Sequence, residues 1–207
     1  MKNHCYAIMV TLSLWIGYPA IAQDKGSAVP PPSTKLESFL AKRGLIFIRD
    51  IFSAGKVERK KTDTIGGRDF TTTEYWVYIA ALAVYEPGHE NSKIKGLQCS
   101  VVDFRGRGSS SNVSFLDLDE AESLSVALQY LIDLAAKWKG QDVGEKEVFF
   151  VTKDDFKIGF SQEKSGEPRF FVSSGRIGAT SLALSSVDEL SQLKKLVDSG
   201  VDWLKKQ

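Results

Sequence analysis

The pattern of apolar and polar residues changes from strand-like to helix-like twice along this chain. A short helix is predicted from Thr34, which is spaced from Glu37 as a capping box and is followed by apolar residues at helical spacing. Strands are then predicted over 45–52, 56–61, 75–85, 94–104 and 113–118, with turns at 53–55 and 64–68. Segment 75–85 has enough alanine for a helix, but its aromatic and β-branched residues favour a central strand buried on both faces.

Two long amphipathic helices complete the pattern. The first is predicted from Asp119 as N-cap, with Glu122 in the third position, to Gly140, because apolar residues recur every three or four positions. Four short strands follow, at 148–152, 156–161, 169–174 and 180–184, and then a helix over 186–205. We therefore predict an α+β fold of mainly antiparallel sheets, each followed by a long packing helix.

The halves 34–140 and 141–207 can be aligned without a gap at an offset of 66. Apolar residues then coincide, as in the pairs Phe104 and Phe170, Leu116 and Leu182, and Leu124 and Leu190. This indicates a tandem duplication of a unit with four strands and a helix. The alternative is a single α+β sheet whose two ends are similar by coincidence.

Meandering sheets that are each followed by one long helix resemble the arrangement in Whirly-type proteins, which bind single-stranded nucleic acid. The resemblance lies in the order of the elements. It implies a nucleic-acid-binding β face, for which Arg105 and Arg107 are the nearest basic residues.

The first twenty-two residues have the three regions of a cleavable signal peptide. Lys2 supplies the positive charge, residues 7–18 are largely apolar, and Pro19 precedes the small residues at 20–22. Cleavage is expected after Ala22, giving a periplasmic or secreted protein without a membrane anchor. A buried N-terminal helix is the alternative interpretation.

Residues 23–33 are polar and proline-rich, and we interpret them as a disordered tether between the cleavage site and the folded protein. The chain has 27 basic and 26 acidic residues, so loss of Lys2 would leave equal numbers. Such a balance argues against a general nucleic-acid binder, whose affinity rests on neutralising phosphates. Cys99 would be the single remaining cysteine and is predicted to be buried, with a reactive thiol as the alternative.

Two groups of residues are candidate sites. Asp117, Asp119 and Glu120 could bind calcium or perform acid–base chemistry, although a helix N-terminus attracts the same residues as caps. Arg105 and Arg107 lie in a Gly/Ser loop that could bind an anion or a partner, or could simply be a solvated connection.

Known catalytic patterns are missing from the sequence. His89 is the one histidine after residue 22 and is predicted to lie in an exposed loop, and the zinc-protease, nucleophile-elbow and Walker patterns do not occur. No cofactor is therefore predicted. Trp76, Trp138 and Trp203 are interpreted as packing residues.

The function that these observations favour is a non-enzymatic binding module of the cell envelope, with a protein or a glycan as its partner. The first alternative is a hydrolase-like or calcium-binding enzyme that uses the acids at 117–120. The second is single-stranded nucleic-acid binding, which rests on the arrangement of the fold.

Overall fold

Two four-stranded antiparallel sheets, each followed by a long helix, form the computed structural model, which describes residues 31–105, 108–164, 166–176 and 178–207. The predicted α+β class is thus confirmed. The predicted signal peptide and residues 23–30 of the predicted tether lie outside the described residues. The first half contains α1 (Lys35–Leu40), β1 (Ile48–Ile65), β2 (Arg68–Tyr85), β3 (Ile94–Asp103), β4 (Ser110–Asp117) and α2 (Leu118–Trp138). The second contains β5 (Lys146–Val151), β6 (Lys157–Gln162), β7 (Pro168–Ser174), β8 (Thr180–Leu184) and α3 (Val187–Lys205).

Strand β1 is longer than the sequence predicted. The turn expected at 53–55 is wrong, because the strand continues through these residues with a shift of register between Ser53 and Gly55. Gly55 has a φ of 130°, and a Cβ there would lie 3.1 Å from the Leu196 side chain of α3. Glycine therefore lets the strand bulge and lets α3 pass close to it.

One hydrophobic core joins both halves. The inward residues of the two sheets pack together with the apolar stripes of α2 and α3. Helix α3 lies against β1 and β2 of the first sheet, where Trp203 stacks on Phe52 with ring centroids 5.8 Å apart. Trp138 meets Phe160 edge-to-face. The packing roles predicted for Trp138 and Trp203 are confirmed.

The first sheet also has apolar residues on its outer face, away from this core. Leu36 and Phe39 of α1 form a small cluster there with Leu82 and Val84 of β2. Helix α1 has six residues and covers only this end of the outer face.

The two helices that follow the sheets repeat each other at a spacing of 69, and the predicted offset of 66 is wrong for them. Their N-caps, Asp117 and Ser186, are 69 positions apart. Five buried positions then coincide: Ala121 with Leu190, Leu124 with Leu193, Leu128 with Val197, Leu131 with Gly200, and Ala135 with Leu204. A duplication therefore remains plausible, with three more residues between equivalent positions than the gapless alignment gave.

The new spacing also changes the interpretation of the acids. Asp119 and Glu120 align with Asp188 and Glu189, so the same acidic pair occurs at the start of both helices. The predicted N-cap Asp119 is wrong: the N-cap of α2 is Asp117, two residues earlier, because the helix begins at Leu118.

Candidate functional site

The outer face of the first sheet is uncovered beyond α1. Since side chains alternate along a strand, Trp76 and Tyr78 point outward while Tyr75 and Val77 enter the core. We call the uncovered part the open aromatic face. Its members, from the register of β2, β3 and β4, are Trp76, Tyr78, Ser100, Val102, Phe104 and Val113.

Three aromatic rings form one side of this face. Trp76 lies between the other two, with ring centroids 6.3 Å from Tyr78 and 6.3 Å from Phe104. Phe104 is 41 % exposed, and Trp76 and Tyr78 are half-buried. The packing role predicted for Trp76 is therefore wrong, because this side chain reaches the surface and contributes to an exposed aromatic group.

Small side chains lie beside the rings. Ser100 is opposite Tyr78 in the register, and Val102 is opposite Trp76. Both are buried among their neighbours, and Val113 on the next strand is 43 % exposed. A strip of small residues along β3 is thus bordered by large aromatic residues on β2 and by Val113 on β4.

The cations along the β1 border of this face are bound to carboxylates. Lys56 and Lys60 lie 2.5 and 2.8 Å from the two carboxylate oxygens of Glu58, which is opposite Trp76. These two lysines hold the pKa of Glu58 below its usual range. Arg59 is opposite Tyr75, on the other side of the sheet, and lies 3.0 Å from Glu74.

Arg105 belongs to the other side of the strand. Its guanidinium makes two bonds to Asp103, at 2.9 and 2.8 Å, and lies over the ring of Tyr75. The bonded guanidinium lowers the pKa of Asp103. Arg107, the second predicted binding residue, lies outside the described residues, so the structure does not bring the two arginines together.

The residues of the predicted acidic site cap helices and bind a neighbouring loop. Asp117 accepts the backbone amides of Lys35 and Leu36 at 3.0 Å each, so the N-cap residue of α2 also binds the first amides of α1. Glu120 accepts the amide of Asp117 at 3.4 Å and that of Lys153 at 2.8 Å. Both acids are therefore occupied by backbone groups.

Asp119 is more exposed than these two acids. Its side chain is 76 % exposed, and the Lys153 ammonium lies 3.8 Å from it. A cleft of about 520 Å³ beside Asp117 is lined by the acids Asp119 and Glu122 and by three lysines, Lys35, Lys93 and Lys95. Within the described residues, no three or more metal-binding side chains are grouped to hold an ion.

An ion-pair network that the sequence did not indicate lies beside α1. Arg176, in the loop after β7, is 3.0 Å from Asp154 and 2.5 Å from Glu37 of α1, and it donates to the Pro31 carbonyl. Asp154 in turn accepts the Phe115 amide at 2.7 Å. Burial raises the pKa of Asp154 despite these partners. The network ties α1 to both sheets, which is a structural role.

Cys99 and His89 are the two other residues that the sequence analysis considered. Cys99 is fully buried as predicted, and burial raises the pKa of its thiol. His89 is exposed in the loop between β2 and β3, also as predicted.

Comparison with protein families, curated proteins and solved structures finds no match to this chain. The Whirly-like arrangement therefore applies to the order of strands and helices alone. Among the described residues, no helix is long and apolar enough to cross a membrane.

Proposed function

We propose that this protein is an exported, non-enzymatic binding module of the cell envelope, and that its ligand lies on the open aromatic face. The observation that carries the proposal is the exposed group of Trp76, Tyr78 and Phe104 on a sheet whose inner face is already fully used by the core. Exposed aromatic surface is costly in a water-soluble fold, and it marks interaction sites more often than other surface does.

Binding is favoured over catalysis by what the polar residues do. Asp117 and Glu120 accept backbone amides, and Asp154 is paired with Arg176. None of these carboxylates belongs to the open aromatic face, whose β1 border carries Glu58 paired with Lys56 and Lys60. Enzyme sites are typically concave and combine an apolar lining with convergent polar groups.

The proposal of export is based on the sequence. The charged, apolar and small-residue regions before position 23 support it. An envelope location would place the aromatic face in contact with surface proteins and glycans.

The experiment compares what the wild-type protein and a face variant retain from an extract of the cell envelope. The variant is Trp76→Ala/Phe104→Ser, and the matched control is Val126→Ser/Tyr130→Ser, which changes two exposed residues of α2. We expect at least one envelope component to be retained by the wild type and the control and lost by the face variant. Equal retention by all three proteins, or by none, contradicts the proposal.

A further inference from the structure

We infer that the ligand of the open aromatic face is an uncharged glycan chain. This inference rests on the proposed function, because it names the class of ligand for the same surface. It follows from the charge of the border, the geometry of the rings and the polar groups between them.

The first argument is charge. The described cations on the β1 border of the face, Lys56 and Lys60, share the carboxylate of Glu58, at 2.5 and 2.8 Å. A polyanion would have to displace this carboxylate before it could use the two lysines. Nucleic-acid binding draws its affinity from cations that are free to replace counterions. A neutral ligand leaves both of these ion pairs intact.

The second argument is the aromatic surface. An aromatic ring is negative on its face and positive at its edge, so the C–H groups on one side of a sugar ring are attracted to it. Trp76 and Phe104 are tilted by 48° to each other, and Trp76 and Tyr78 by 82°. The three rings therefore present faces and edges in succession, which suits a chain whose rings turn from one unit to the next.

The third argument is the uncharged polar groups beside the rings. Gln98 donates from its side-chain amide to the Ser100 hydroxyl at 3.3 Å, and Ser111 lies opposite Val102 on β4. Amide and hydroxyl groups each donate and accept, as sugar hydroxyls do. A purely apolar peptide would leave these groups unsatisfied beneath it, at a cost of about 1–3 kcal/mol for each group that becomes buried.

The test measures binding of defined ligands to the purified full-length protein by titration calorimetry. The probes are two neutral hexasaccharides, chitohexaose and cellohexaose, together with the oligonucleotide dT12 and a proline-rich decapeptide. We expect at least one hexasaccharide to bind, with an affinity that changes little between low and high salt, and dT12 and the decapeptide to give no heat.

The variants locate the binding. Trp76→Ala is expected to weaken hexasaccharide binding about tenfold, an effect at the low end of that measured when a ring that stacks on a nucleic-acid base is removed. Trp76→Phe keeps a ring and is expected to retain most of the affinity. Phe149→Ser, on the outer face of the second sheet, is the matched control and should bind as the wild type does. Circular dichroism establishes that each variant is folded.

The outcomes separate the two proposals. If no hexasaccharide binds, but the face variant still loses its envelope component, the glycan inference is wrong and the binding function stands. Binding of dT12 or of the decapeptide that Trp76→Ala abolishes also overturns the glycan inference. If neither the extract nor the probes distinguish the face variant from its controls, both proposals fail.

Discussion

The two sheets share one topology, yet their outer faces differ. On the first sheet, Phe104 is exposed and Trp76 and Tyr78 are half-buried, and among the described residues no lysine or arginine lies over their rings. On the second, Lys157 extends between two phenylalanines, with its ammonium 3.9 Å from the ring centre of Phe149 and 5.1 Å from that of Phe171.

The difference shows how a sheet can manage exposed aromatic residues. Lys157 places its ammonium near both rings and also pairs with Glu147 at 3.2 Å, so the second face carries its own cation over its aromatic residues, although Phe149 stays 48 % exposed. Lys56 and Lys60 of the first face are held at the border by Glu58.

The largest effect expected from this comparison is at Gly159, which lies opposite both Phe149 and Phe171 in the second sheet. A Cβ there would be 2.2 Å from the Val148 carbonyl oxygen, so Gly159→Ala should destabilise the fold by about 3 kcal/mol. Ser100→Ala, in the strip of the open face, should cost about 1 kcal/mol or less. Urea unfolding measures both, and a loss in Gly159→Ala no larger than that in Ser100→Ala would show that the second sheet accommodates a Cβ at position 159.

The arginines that follow β3 and β7 give the next contrast. Arg176→Met leaves Asp154 buried without its cation, and we expect the free energy of unfolding to fall by about 3 kcal/mol. Arg105→Met removes a pair near the surface and should cost less than about 1 kcal/mol. Denaturant titrations of the two variants should therefore differ clearly in midpoint. A larger loss in Arg105→Met would reverse the assignment of structural roles.

Removing Lys157 should make the outer face of the second sheet resemble the outer face of the first. Lys157→Ala uncovers Phe149 and Phe171, and we expect a loss of about 1 kcal/mol in stability together with stronger fluorescence of a dye that binds apolar surface. Lys56→Ala is the control, because Lys56 lies beside Glu58 at the border of the first face. Unchanged dye binding in Lys157→Ala would show that this lysine does not cover the rings.

The smallest effects concern the two aspartates that pair with these arginines. Burial raises the pKa of Asp154, whereas the Arg105 guanidinium lowers the pKa of Asp103. The stability that Asp154 contributes is therefore present at low pH and is lost as the pH rises above about 3.9 through its folded pKa. The contribution of Asp103 is present above about 3.9 and is lost as the pH falls through its own lowered pKa.

Carbon-detected NMR titration of the two carboxyl groups measures these midpoints directly. We expect the midpoint of Asp154 above that of Asp103, and Asp154→Asn should remove the acid-side contribution from the pH profile of unfolding. If the two midpoints coincide, burial does not control the protonation of Asp154.

Much of the fold could be predicted from the sequence because it follows from local periodicity. The stripes of α2 and α3 and the order of the eight strands depend on neighbouring residues. The bulge at Gly55 could not be predicted, since Ser-Ala-Gly is equally typical of a turn and only the packing of α3 keeps the strand continuous.

The candidate site was harder to predict, because exposure depends on what covers a residue. The apolar run 75–85 predicts burial on both faces, which holds for Leu82 and Val84 beneath α1 but not for Trp76 and Tyr78. Arg176 gave no local signal, since its partners are residues 31, 37 and 154. At the spacing of 69 it aligns with Arg107, and this correspondence is the one sequence signal that could have drawn attention to it.

The shortness of α1 has a consequence for the length of the ligand. Because Asp117 caps this six-residue helix over one end of the outer face, the sheet is free only from Phe104 and Glu74 to about Tyr78, and Ala80 beyond it is buried. The four residue steps from Glu74 to Tyr78 measure about 13 Å in an extended strand. Helix α1 therefore limits the length of glycan that the face can contact. If the proposed ligand is correct, affinity should rise with each added sugar until the chain reaches α1, and further sugars should not increase it.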